Sequence, residues 1–126
     1  MISIENIKEL QQRVQTLGKC IGVEAKRGEV ASKTERTLAA DFWDDPKEAE
    51  KFLKELSGVK FWVTGYDNVS AAVEDLNVLY DFAKESLEGA EDENTDEVME
   101  LSEAYKAALE ELRAFMDIGE GTITAS

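Results

Sequence analysis

Apolar residues recur at spacings of three and four along most of the chain, and polar residues fill the positions between them. Ile7, Leu10, Val14, Leu17 and Ile21 form the first such run, the stripe that an α-helix buries on one face. Ser3 precedes it as a residue type that caps helix starts. Carried forward in the same register, the stripe meets Glu24, Gly28, Ala31, Glu35 and Leu38. It thins there, and Gly18, Gly22 and Gly28 each lower helix propensity by roughly 1 kcal/mol relative to Ala. A first helix over about 3–38 therefore depends on neighbours in its second half. The Gly18 and Gly22 pair also offers a place where another helix can come close.

The pattern breaks at Asp41-Phe42-Trp43-Asp44-Asp45-Pro46 and restarts at once. Asp45 is an N-cap type, Pro46 suits the first helical position, and Glu48 stands where a capping box needs it. From Ala49 the rhythm runs through Phe52, Leu56, Val59, Val63, Tyr66, Val69, Val73, Leu76, Tyr80, Ala83 and Leu87. This predicts a second helix over about 46–88, roughly 60 Å long, with Gly58 and Gly65 as possible bends. Gly89 is placed to end it, and Asn94 or Thr95 to cap a third helix over about 95–116. Val98, Leu101, Tyr105, Ala108, Leu112 and Phe115 make its stripe. Gly119 and Gly121 predict an irregular tail over 118–126, with Thr122-Ile123-Thr124 as the stub of a strand.

Short connections favour antiparallel neighbours, so the expected fold is all-α: an antiparallel three-helix bundle or coiled coil with two long helices and a shorter third, occupying residues 1–117. The third helix covers only about half of the second, which leaves residues 22–65 as a two-helix end. That end holds Phe42, Trp43, Phe52, Phe61 and Trp62, aromatic bulk in place of a missing helix. Phe61 lies about 200° around the helix from Val59 and Val63, so part of it should face solvent. Phe61, Trp62 and Trp43 are the candidate partner contacts.

Charge sharpens this picture. The net charge is −14. Residues 1–60 hold eleven basic and eleven acidic residues, whereas residues 61–126 hold three basic and seventeen acidic. Such a surface repels phosphate backbones, which disfavours direct nucleic-acid reading and favours protein partners, basic ones among them; it also keeps a small domain in solution. No segment approaches the ~20 apolar residues that span a bilayer, and the start lacks a basic-then-apolar signal, so a cytoplasmic location without membrane contact is expected. With no second cysteine and no histidine, Cys20 is read as a small apolar filler.

The absence of histidine, of a Gly-rich phosphate loop and of a cysteine pair closes the commonest routes to nucleophilic, zinc and nucleotide chemistry. Carboxylate pairs such as Asp44 with Asp45 or Glu110 with Glu111 follow from composition. Catalytic residues, metal ligands and cofactors are therefore not expected. One local pattern points elsewhere: Asp92 to Glu103 places oxygen donors at positions one, three, five, nine and twelve of a calcium-loop frame. Glu97 stands at position six, where a glycine is needed, and Val98 and Leu101 already belong to the third stripe. A capped acidic helix start is the better account.

The stretch from Leu38 to Glu50, with Phe42-Trp43-Asp44-Asp45-Pro46 at its centre, resembles the amino-terminal domain of bacterial peptide chain release factor 2. Trp62-Val63, Tyr66, Val73 to Leu76 and Leu79 to Phe82 extend the resemblance, which runs from Ile7 to Leu112. It departs at Ala40, where a proline is expected, at Gly18 and Gly22, and from Asp117 onward. In that family a Ser-Pro-Phe tripeptide reads the stop codon and a Gly-Gly-Gln motif promotes peptidyl-tRNA hydrolysis; neither occurs here. The resemblance implies the family's helical arm alone, as a fragment or truncated product, which reaches toward the stalk base of the large ribosomal subunit and the translation GTPase release factor. The other reading is a stand-alone acidic helical adaptor, responsive to calcium.

Overall fold

The computed structural model describes residues 1–91 and 93–125, with side chains described to residue 117. It is all-helical, with no strand among the described residues: α1 spans Ile4–Ile21, α2 Val23–Thr37, α3 Pro46–Leu87 and α4 Asp96–Ala125, and a single 3₁₀ turn, Phe42–Asp44, precedes α3.

The predicted starts are built as their sequences suggest. The Ser3 side chain accepts from the Asn6 N–H at 3.3 Å while the Asn6 side chain accepts from the Ser3 N–H, a reciprocal capping box. Asp45 accepts from the Glu48 N–H at 3.3 Å, with Pro46 opening the helix. Thr95 Oγ1 accepts from the Val98 N–H at 3.3 Å, and Gly89, at φ 82°, follows the end of α3.

Three expectations are corrected. The first helix is two helices, because Gly22 adopts the left-handed conformation at φ 66° and ends α1. The break also resets the buried face. Glu24, Gly28, Ala31 and Glu35 are exposed and Leu38 is 80% exposed, while Val23 is buried and Arg27, Val30 and Lys33 are half-buried. At the other end, α4 continues through Ala125, so the backbone over Thr122-Ile123-Thr124 is helical instead of an irregular tail with a strand stub. Gly58 and Gly65 do not interrupt α3, which is one helix of 42 residues, about 63 Å at 1.5 Å per residue.

α3 is the spine on which α1, α2 and α4 pack. Rising numbers on α2 meet falling ones on α3, as Arg27 meets Asp67 and Lys33 meets Glu55. Likewise α4 returns along α3: Thr95 sits against Ser86 and Phe115 against Gly65. The core is wholly apolar among the described residues. Ile7, Leu10 and Val14 from α1, Val69, Val73 and Leu76 from α3, and Leu101, Ala108 and Leu112 from α4 form one cluster. Gly18 lets α1 close on α3, since a Cβ there would stand 2.9 Å from the Tyr66 ring. Cys20 is exposed, which corrects its reading as an apolar filler: it lies one residue, about 100°, from the stripe residue Ile21.

Candidate functional site

Phe61 emerges from the rhythm of α3 as the helical angle requires. Two positions beyond Val59, it is turned off the packed face and is 49% exposed. Its ring meets Trp62 edge-on at 5.5 Å and Phe115 at 6.3 Å, and half-buried Trp62 meets Phe115 edge-on at 5.4 Å. Phe115 comes from α4 and is buried, and it fits because Gly65 has no side chain: a Cβ there would stand 2.2 Å from the ring. A shallow groove follows, lined by Phe61, Thr64, Gly65, Glu111, Ala114 and Phe115. Phe61 and Trp62 were expected in a two-helix end. They sit instead where α4 still covers α3, because α4 brings Phe115 down to their level.

Trp43 belongs to a second cluster. The 3₁₀ turn buries Phe42, which meets Phe52 edge-on at 5.5 Å and supports Trp43 at 5.0 Å. Trp43 itself is 60% exposed. Cations close this corner: Lys33 Nζ lies 5.0 Å from the Phe52 ring centre, and Arg36, which donates to Asp41 at 3.1 Å, lies 5.9 Å from that of Phe42. Phe52 and Phe61 are nine residues apart on α3, about 13.5 Å along the axis. The three candidate residues thus form two aromatic spots along one rod, not one site.

Beyond the Phe61 spot, on the side away from Trp43, Arg27 of α2 grips Asp67 of α3 with two parallel hydrogen bonds, one of them Nη1 to Oδ2 at 3.0 Å. The paired guanidinium holds the Asp67 carboxyl below the usual carboxylate range, and Asp67 in turn raises Arg27. This is a clasp between two helices. The described residues include no buried polar or charged side chain and no group of three or more His, Cys, Asp or Glu placed to hold a metal ion. The calcium-loop frame begins at Asp92, which lies outside the described residues. From Asp96 onward its positions are helix, and Val98 and Leu101 are core. What the exposed rings can do is bind another surface.

Two further exposed apolar residues share the offset of Phe61. Val78 and Phe82 are 54% and 57% exposed, and each follows a stripe residue, Leu76 and Tyr80, by two positions. The same helical angle that turns Phe61 outward turns these two side chains outward.

The described helices thus carry two aromatic spots in an acidic chain, and no described helix is long and apolar enough to cross a membrane. Curated proteins similar to the chain include several that carry one name. Peptide chain release factor 2 of Streptomyces avermitilis is 29% identical over 108 residues, covering 86% of this chain and 28% of that protein. The release factor 2 of Shewanella baltica is 28% identical over 109 residues, 86% of this chain and 30% of the relative. That of Thermomicrobium roseum is 28% identical over 101 residues, 80% and 27%. The chain thus resembles bacterial peptide chain release factor 2, and it spans less than a third of the length of these relatives. No protein-family profile and no solved structure matches it.

Proposed function

We propose that this chain is the interaction arm of a codon-specific peptide chain release factor, acting in translation termination on the ribosome through protein surfaces and without chemistry of its own. The observation that carries this reading is its similarity to release factor 2 over most of its length, in a sequence that contains neither Ser-Pro-Phe nor Gly-Gly-Gln. On this reading residues 1–117 act as an antiparallel three-helix bundle, with α1 and α2 together forming the first rod. The arm reaches the stalk base of the large ribosomal subunit and the translation GTPase release factor in the cytoplasm. Phe61, Trp62 and Trp43 are its contacts. Phe61 on α3 and Trp43 on the 3₁₀ turn offer exposed aromatic rings, the side-chain type that anchors protein contacts, while the acidic second half disfavours RNA as the surface touched.

Binding of the purified chain to large ribosomal subunits, followed across a salt series, tests the reading. Saturable binding is expected, weakened about tenfold by Phe61→Glu, with the helical content unchanged because Phe61 is not in the core. Absence of saturable binding, or binding indifferent to Phe61→Glu, overturns the role given to this surface.

A further inference from the structure

The half of α3 remote from Phe61 presents an apolar face of its own. Val78 and Phe82, four residues apart, lie one above the other on the same side of the helix, while Leu76 and Ala83 are buried on the opposite side. Nothing described in this chain covers the pair. Around it stand Glu74, Asp75, Asp81 and Glu85, all exposed, and none enters an ion pair among the described residues. Between residues 61 and 87 the helix carries one basic residue, Lys84.

These surroundings select the occupant. An acidic rim repels a phosphate backbone or an anionic membrane, and a second copy of this chain brings the same rim and is repelled likewise. An apolar anchor ringed by unpaired carboxylates fits a segment with the reverse arrangement: apolar side chains at three-and-four spacing, flanked by Lys or Arg. We propose that the Val78–Phe82 face of α3 docks a basic amphipathic helix of a partner protein. The apolar side of that helix rests on Val78 and Phe82, and its cations face Glu74, Asp75, Asp81 and Glu85. Phe82 is 21 residues from Phe61 on the same helix, roughly 30 Å along the axis. This face is therefore separate from the contact proposed above, and each stands or falls alone.

The test is a nuclear magnetic resonance titration of the ¹⁵N-labelled chain with an amphipathic helical peptide of Leu and Lys, beside a peptide in which Glu replaces every Lys. The Lys peptide is expected to shift amides centred on residues 74–85, and the Glu peptide to shift none. Phe82→Ser should weaken binding about tenfold, as should the pair Asp81→Lys and Glu85→Lys, which alters only exposed positions and keeps the test decisive if Phe82→Ser misfolds. Affinity should fall as salt rises. Shifts centred on Phe61 or spread over the acidic start of α4, or a Lys peptide indifferent to both sets of variants, overturn the proposal. So does an equal response at residues 74–85 to single-stranded RNA or to anionic phosphatidylserine vesicles.

Discussion

Gly28 and Gly65 are both glycines inside helices, and a methyl group placed on each meets opposite surroundings. At Gly28 nothing lies within 4 Å, so Gly28→Ala should stabilise the fold by about 0.5–1 kcal/mol through helix propensity. At Gly65 the added carbon would stand 2.2 Å from the Phe115 ring. Gly65→Ala should therefore cost about 1–3 kcal/mol despite the same gain in propensity. Urea denaturation of the two variants measures the difference, and a Gly65→Ala protein as stable as the parent would mean that Phe115 is not seated against α3. At this scale the exposed rings were legible and the close approaches only in part. Phe61 stands out by its angle on the helix, but whether a glycine makes room for a neighbour depends on a residue 50 positions away in sequence, as Phe115 is from Gly65.

Among the elements, α2 has the fewest buried residues of the four helices' described parts. Its one buried residue is Val23, with Val30 half-buried, and much of its hold on α3 is polar: the Arg27–Asp67 clasp, the Lys33–Glu55 pair at 3.6 Å, and Lys33 over the Phe52 ring. Amide exchange should therefore be faster in α2 than in the half of α3 that packs on α1 and α4. The clasp also makes α2 sensitive to acid. Because Arg27 lowers the folded-state pKa of Asp67, its contribution is fully present above the unfolded value, about 3.9, and is lost as pH falls through the lower folded value. The protection of α2 amides in the parent relative to Asp67→Asn should be largest at neutral pH and shrink below that range. An advantage that does not change with pH would show the clasp to be energetically silent. The division of the first predicted helix had a signal in Gly22. The new face adopted by α2 had none, because periodicity counted from α1 carries no information across a left-handed residue.

For the whole molecule the governing quantity is charge. With a net charge of −14 and three basic residues in the second half, self-repulsion within the acidic half opposes compaction, and screening relieves it. The thermal midpoint at neutral pH should rise as sodium chloride is added, even though salt also weakens the Arg27–Asp67 clasp; a falling midpoint would mean that the few cross-helix pairs outweigh the repulsion. The stripes, the caps at Ser3, Asp45 and Thr95, the all-helical class and the resemblance to release factor 2 were all determined by the sequence. They rest on local backbone hydrogen bonding and on a 3.6-residue period that places apolar residues on one face. Tertiary structure alone decided that α2 turns its own face to α3, that Phe115 closes over Gly65, and that Trp43 and Phe61 lie in separate aromatic spots. Those outcomes depend on distances between residues far apart in the chain, which no local period encodes.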